Sequence, residues 1–268
     1  MSDANAKSAV RVWQLSDSHC YPNDGMRLEW SEADIYPNQS LRAVLTHLQT
    51  QAAGYSALFF TGDLAQEETA ATYQRINALV ADFPLPIYAV AGNHDVPALM
   101  QVNLTAPVVL QDYVNWGVWH AILLDTSAPN KPDGHLSAAQ LLRLEALLTD
   151  IPAQHFVVIF MHHHPVLINS AWMDVMGLQQ LEQFWGVIAQ FPQVKAVFNG
   201  HIHQAFSGEH VFPTGRKVAV FGTPATSIQL KPVNPVFQFD HTRPAWREIS
   251  LNPDGSITTQ VEYLTPLV

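Results

Sequence analysis

The chain is 268 residues long and carries 13 Lys or Arg against 23 Asp or Glu, a formal charge of −10 with histidine neutral. So few cations for neutralising phosphates argue against a nucleic-acid partner, and 48% apolar with 13% charged residues excludes general disorder. No run approaches the roughly 18 to 20 apolar residues of a membrane span, and the opening MSDANAKSAV lacks the apolar stretch of a secretory signal. A cytoplasmic protein with no membrane contact is therefore expected. The single cysteine, Cys20, rules out an internal disulfide and fits a reducing compartment.

Residues 1–9 read as a loose polar tail, and no repeat, Gly/Ser linker or low-complexity run divides the remainder, so one domain over 1–268 is expected. Apolar runs with strand character recur at Val10–Leu15, Ala57–Phe60, Ile87–Ala91, Val118–Leu124, Phe156–Met161 and Lys195–Phe198. Between them, Gln39–Gln51 carries Leu41, Val44, Leu45 and Leu48 on one helix face. Ser137–Leu148 does the same with Leu141, Leu144, Leu147 and Leu148, and Ser137 is its expected N-cap. The last sixty or so residues read as strands only: Val218–Phe221, Ser227–Leu230, Val236–Phe239, Trp246–Leu251 and Ile257–Tyr263, with a hairpin turn at Asn252–Gly255. This order predicts an α/β core whose later strands form or extend a second sheet.

Histidine carries the chemical information. Of 13 histidines, His19, His94, His162, His163, His164, His201 and His203 lie in short polar clusters that follow strand-like runs. The clusters are Ser16-Asp17-Ser18-His19, Gly62-Asp63, Gly92-Asn93-His94-Asp95, His162-His163-His164-Pro165 and Gly200-His201-Ile202-His203. Loops beyond the carboxyl ends of neighbouring strands converge, which predicts one common site. Asp17, Asp63, Asn93, His19, one of His162 to His164, His201 and His203 are too many donors for one tetrahedral ion. They suit two ions sharing a carboxylate, the arrangement that clamps both oxygens of a phosphoryl displacement. A nitrogen and oxygen set without thiolate favours Mn²⁺, Fe²⁺ or Zn²⁺.

These motifs, D-x-H, G-D, G-N-H-D, H-H-x-P and G-H-x-H in that order, resemble the calcineurin-like metallophosphoesterase superfamily, with no departure at a ligand position. The resemblance implies a four-layer α/β/β/α sandwich with two mixed sheets. It implies that Asp17, His19 and His203 bind one divalent metal, Fe²⁺ or Mn²⁺ before Zn²⁺. Asn93, His162 and His201 would bind the other, with Asp63 bridging and His163 and His164 as alternatives to His162. It makes a bridging water, acidified by both metals, the nucleophile, and His94 a catalytic residue facing the phosphate. The neighbouring Asp95 is expected to hold the His94 ring. His19, Asp63, Asn93, His94 and His203 would also line the substrate.

Thr61-Gly62-Asp63-Leu64-Ala65-Gln66, Gly200-His201-Ile202-His203-Gln204 and the stretch from Thr223-Pro224 to Lys231-Pro232 further resemble bacterial class III 3′,5′-cyclic-AMP phosphodiesterases. The implied reaction is hydrolysis of cyclic AMP to 5′-AMP. The alternatives are a broad diesterase acting on glycerophosphodiesters or 2′,3′-cyclic nucleotides, and a metal-bound scaffold without turnover. Monomer and homodimer are both left open. Trp30, Tyr36, Trp172, Met173 and Met176 read first as packing residues, with stacking on a purine as the alternative. Cys20 reads as a small buried apolar side chain.

Overall fold

The computed structural model describes residues 8–232 and 235–265, and within them the chain forms twelve strands and six helices. β1 (Val10–Leu15), β2 (Ala57–Thr61), β3 (Ile87–Val90) and β4 (Val108–Val109) run parallel, linked by α1 (Pro37–Gln49), α2 (Ala70–Val80) and α3 (Pro97–Asn103). After β5 (Tyr113–Trp116) the plan repeats. β6 (Trp119–Leu124), β7 (Phe156–Met161) and β8 (Val194–Asn199) are parallel, with α4 (Ala138–Asp150), α5 (Ala171–Asp174) and α6 (Leu181–Ala189) between them. Then β9 (Phe206–Val211) pairs antiparallel with β10 (Lys217–Gly222), which lies parallel to β8. β11 (Ala245–Leu251) and β12 (Ile257–Tyr263) finish the chain as an antiparallel pair. The two mixed sheets have the orders β12-β11-β1-β2-β3-β4 and β5-β6-β7-β8-β10-β9.

Strand alternation decides how the layers stack. Val12, Phe59 and Val90 of the first sheet face Val158, Phe160 and Phe198 of the second, and Phe59 stacks on Phe160 with ring centroids 3.9 Å apart. The alternate residues Trp13, Leu15, Leu58 and Phe60 point the other way and meet Leu41, Leu45 and Leu48 of α1 with Tyr73 and Ile76 of α2. On the far side, Val157, Ile159 and Met161 meet Leu144 and Leu148 of α4 and Phe184 and Ile188 of α6. Both faces of each sheet are thus covered, which explains why these strands read as nearly continuous apolar runs. The result is the expected α/β/β/α order.

α1 lies within two residues of its expected span, and Ser137 caps α4 through a capping box with Gln140. The Asn252–Gly255 turn joins β11 to β12, with Gly255 at φ 86°. Two readings are corrected. The late strands do not all go to the second sheet: β10 does, but β11 pairs antiparallel with β1 and returns the chain to the first. Trp246 packs into the core beneath α1 while Ile249 and Leu251 enter the core between the sheets, so the free edge of β1 is where both faces of β11 are buried. Ser227–Leu230 and Val236–Phe239 are not strands and share only the bridge Leu230–Phe239. Pro232 and Pro235 lack amide donors, and the 225–230 backbone serves the site instead. No helix among the described residues is long and apolar enough to cross a membrane.

The segment between β1 and α1 is tied down at Asp24. Its carboxylate takes a bidentate pair from Arg75 at 2.7 and 2.6 Å, a bond from Arg42, and one from Asn38 Nδ2 at 3.0 Å. The Arg75 bonds hold its pKa below the usual carboxylate range, against the opposing effect of burial. A depressed folded pKa means that stabilisation is present above the unfolded value and is lost as pH falls towards the folded one. Asp24→Ala is expected to cost about 1 kcal/mol at neutral pH, since the pairs are partly solvated. Denaturant titrations should show the gap between wild type and variant closing as pH falls below about 4.

Candidate metal centre

β1, β2 and β3 of one sheet and β7 and β8 of the other all end at the same rim of the sandwich, so the five polar clusters converge across the gap between sheets. Their backbones are interlocked. Beyond the ends of β1 and β2, Asp17 N bonds Gly62 O at 3.0 Å, His19 N bonds Asp63 O at 2.9 Å and Cys20 N bonds Leu64 O at 2.8 Å. From the second sheet, Gly200 N bonds His162 O at 3.1 Å, and His201 N reaches across to Asp17 Oδ2 at 3.0 Å. Asp17, His19, Asp63, His201 and His203 all adopt positive φ, between 49° and 68°. Each such residue costs about 1 kcal/mol, and the surrounding hydrogen bonds hold it there, aiming five side chains at one volume. Gly200 leaves no alternative: a Cβ there would lie 3.0 Å from Asp17 Oδ2 and overlap Ser16 Oγ.

The ligand-type atoms fall into overlapping groups, each within 4.8 Å: Asp17, His19 and His203; Asp17, Asp63 and His162; His19, Asp63 and His94; and His162, His163 and His201. Asn93 Oδ1 joins them 3.1 Å from His162 Nε2, which is 3.4 Å from Asp63 Oδ1. His162 donates through Nδ1 to Thr61 O at 2.6 Å, and His203 donates through Nδ1 to Ile228 O at 2.8 Å, which leaves both Nε2 lone pairs facing inward. His203 Nε2 then lies 3.2 Å from His19 Nε2 and 3.3 Å from Asp17 Oδ1. His19 Nδ1 has no partner to fix the tautomer, so its Nε2 is able to present a lone pair to a cation beside His203. Asp17 Oδ1 and His201 Nε2 are buried without any hydrogen-bond partner. Those orphaned acceptors and the oxygen and nitrogen donor set fit divalent metal ions.

Electrostatics point the same way. Burial would raise Asp17 and Asp63, yet His203 and His162 respectively bring each below its usual range. Burial likewise opposes charge on His162, but Asp63 lifts it to about 9. A field that holds a proton so firmly also attracts a metal cation. Burial, reinforced by neighbouring imidazoles, holds His201 well below its ordinary value, and burial brings His19 to about 3, so both are neutral and able to ligate.

The histidine triplet separates by its partners. His163 accepts from Thr126 Oγ1 at Nδ1 (2.8 Å) and donates from Nε2 to Pro132 O (3.2 Å), so it has no free lone pair. His164 lies outside every ligand group and faces Asp174 at 3.6 Å. His162→Ala is expected to lower metal content. His163→Ala should keep the metals and lose about 1–3 kcal/mol of stability from unpaired buried groups. Metal counting and thermal denaturation on both variants check the distinction.

Asp95 requires a correction. Its carboxylate accepts from Leu64 N, Ala65 N, Gly92 N and the Tyr73 hydroxyl, all at 3.0 to 3.1 Å, and the His94 ring is not among its partners. Four donors saturate the carboxylate, so Asp95 pins the β2 and β3 loops together. His94 is half-buried, with its ring centroid 5.1 Å from that of His19 and its backbone N–H on Asp63 Oδ1 at 2.8 Å. Cys20 is fully buried, and burial pushes its thiol up to about 12, as suits an inert packing residue.

Matched against protein families, residues 10–205 fit the calcineurin-like phosphoesterases. The chain belongs to this family. It is 34% identical over 265 residues to a 3′,5′-cyclic adenosine monophosphate phosphodiesterase, CpdA, of Vibrio vulnificus, covering 98% of this chain and 93% of that one. Its identity to the Escherichia coli protein of the same name is 33%, over 96% of this chain and 91% of the relative. Among solved structures, a dimetal phosphatase from Danio rerio superposes with a TM-score of 0.63 at 13% identity, covering 94% of this chain and 99% of the other. The shared fold is therefore that of the family, well beyond what the identity alone would suggest.

A cavity of about 330 Å³ opens over the donors. Trp30, Trp172, Met173 and Met176 line it, as the stacking alternative for these residues requires, whereas Tyr36 caps α1 and does not. Leu230 and Phe237 complete the lining and were not foreseen. Their stretch carries strand-like residues, and nothing local tells that it folds over a site whose donors span Asp17 to His203.

Proposed function

We propose that the chain is a two-metal phosphodiesterase that opens 3′,5′-cyclic AMP to 5′-AMP. The observation that carries this is the convergence of a complete donor set, with orphaned acceptors, in a chain similar over nearly its whole length to relatives named cyclic-AMP phosphodiesterases. Asp17, His19 and His203 hold one ion, Asn93, His162 and His201 the other, and Asp63 serves both; Fe²⁺ or Mn²⁺ suits the set before Zn²⁺. Bound divalent ions supply an acidified water as nucleophile and neutralise charge on the phosphoryl oxygens.

The remaining work belongs to side chains. His94 sits at the mouth, beside Asp63 and His19, where a ring N–H stabilises charge on a phosphoryl oxygen or protonates the leaving ribose oxygen. Asp63 fixes the His94 backbone through Oδ1, and Asp95 fixes the turn from behind. The one small-molecule diester is the only partner this reading needs, in a single-domain cytoplasmic protein.

Protein reconstituted with Mn²⁺ or Fe²⁺ should hydrolyse 3′,5′-cyclic AMP faster than 2′,3′-cyclic AMP, glycerophosphodiesters and an aryl diester, and a chelator should abolish the activity. Comparable slow rates on all of them would replace the cyclic-nucleotide assignment with a broad diesterase. Two bound metals and no turnover would leave a scaffold.

A further inference from the structure

The cavity over the donors has two unlike halves. Its floor is the ligand set with His94, and the rest of its lining is Trp30, Pro132, Trp172, Met173, Met176, Leu230 and Phe237. Beyond the floor, the described lining residues carry no side-chain hydroxyl, amide, carboxylate or ammonium. The aromatic rings form a connected arch: Trp30 meets Phe237 edge-on at 6.2 Å, and Phe237 meets Trp172 edge-on at 5.3 Å. Phe239 backs the arch, stacked on Trp30 at 5.9 Å and edge-on to Phe237 at 5.0 Å. The arch stands on the site, since Trp30 also lies edge-on to His19 at 5.6 Å and to His203 at 6.0 Å.

Its two sides are held differently. Trp30 is half-buried, and its indole N–H is spent on Gln66 Oε1 at 3.1 Å, so its ring is fixed and its one polar atom is unavailable. Phe237 is 47% exposed and lines the cavity, so part of its ring is open to a ligand there. Leu167, Val175 and Val236 are exposed too, on the same two segments that carry Trp172 and Phe237. The indole N–H of Trp172 is buried and has no partner among the described residues.

Resting on the phosphodiesterase reading, we infer that Trp30, Phe237 and Trp172 form a stacking clamp that selects diesters bearing a planar aromatic ring and does not read which nucleobase it is. Stacking is sequence-tolerant because every base offers a π-face. Discrimination between bases needs polar groups matched to exocyclic amino and oxo substituents, whose mispairing is what penalises the wrong base. Among the described residues the arch offers only the buried indole N–H of Trp172, a single donor that does not match the paired amino and oxo pattern of one base. The site therefore separates cyclic nucleotides from non-aromatic diesters through the ring and accepts adenine and guanine nearly alike.

The test compares metal-loaded wild type, Phe237→Ala, Phe237→Trp and Trp30→Ala on 3′,5′-cyclic AMP, 3′,5′-cyclic GMP and a ribose 3′,5′-cyclic phosphate carrying no base. Phe237 is exposed, so its replacement leaves the core intact. The wild-type kcat/KM for cyclic AMP and cyclic GMP should agree within about threefold. The ratio of kcat/KM for cyclic AMP to that for the baseless phosphate should fall about tenfold in Phe237→Ala, mostly in KM, and recover in Phe237→Trp. Calorimetric binding of the same three ligands should show the same ratios in affinity, independently of turnover. An unchanged ratio in Phe237→Ala and Trp30→Ala, or a tenfold preference between the purines, overturns the clamp. Ring-selective binding without turnover upholds the clamp and sinks the phosphodiesterase reading instead.

Discussion

Asp63→Ala is expected to lose both metals and essentially all turnover together. Its two carboxylate oxygens face opposite ways, with His162 Nε2 3.4 Å from Oδ1 and His19 Nε2 3.8 Å from Oδ2, so one side chain reaches donors of both clusters. Removing the carboxylate also removes one of the two buried anions, with Asp17, that draw a cation among several buried imidazoles. Bound ions contribute several kcal/mol of charge stabilisation, so kcat/KM should fall by about a thousandfold or more. Metal content per chain by mass spectrometry should drop from two towards zero. Asp63→Asn keeps an acceptor for the His94 N–H, and circular dichroism on both variants shows whether the loop has held its shape. A variant that retains two metals and full activity would sink the bridging assignment.

His94→Ala should separate what Asp63→Ala removes together. The side chain is half-buried at the mouth, and the structure ties its backbone, not its ring, into the cluster. Metal content should stay at two while kcat falls by about 10²- to 10⁴-fold, the range for loss of a positioned acid. The loss should be smaller for a diester with a good leaving group, because protonation of the leaving oxygen then matters less. If metal content falls as well, the closeness of His94 to His19 and Asp63 is that of a ligand, and the acid lies elsewhere. Asp95→Asn gives the contrast: with its carboxylate on three backbone amides and Tyr73, the expected change is in stability more than in the pH profile of kcat.

The candidate donor residues were legible in the chain because a metal site needs particular atoms, and Asp, Asn and His placed after strand-like runs offer them. The strands β1, β2, β3, β6, β7 and β8 were legible because burial on both faces leaves an unbroken apolar run. Helix α2 was not read, although Thr69 caps it and Tyr73, Ile76 and Val80 share one face; its weak amphipathicity hid it among polar neighbours. β11 was read as a strand and assigned to the wrong sheet, since strand propensity is local and the partner strand, β1, lies some 235 residues away.

By itself the sequence determined the layer plan, the family and the five polar clusters that converge, all of which depend on residue type and short-range period. Only the tertiary structure decided which histidine of the triplet faces the cluster with a free nitrogen, because Thr126 and Pro132 occupy His163 and His164 lies outside the ligand groups. It also decided the task of Asp95 and the identity of the wall above the donor cluster. Those depend on where backbone amides and distant aromatic rings come to rest once two sheets pack face to face, and no local pattern encodes that packing.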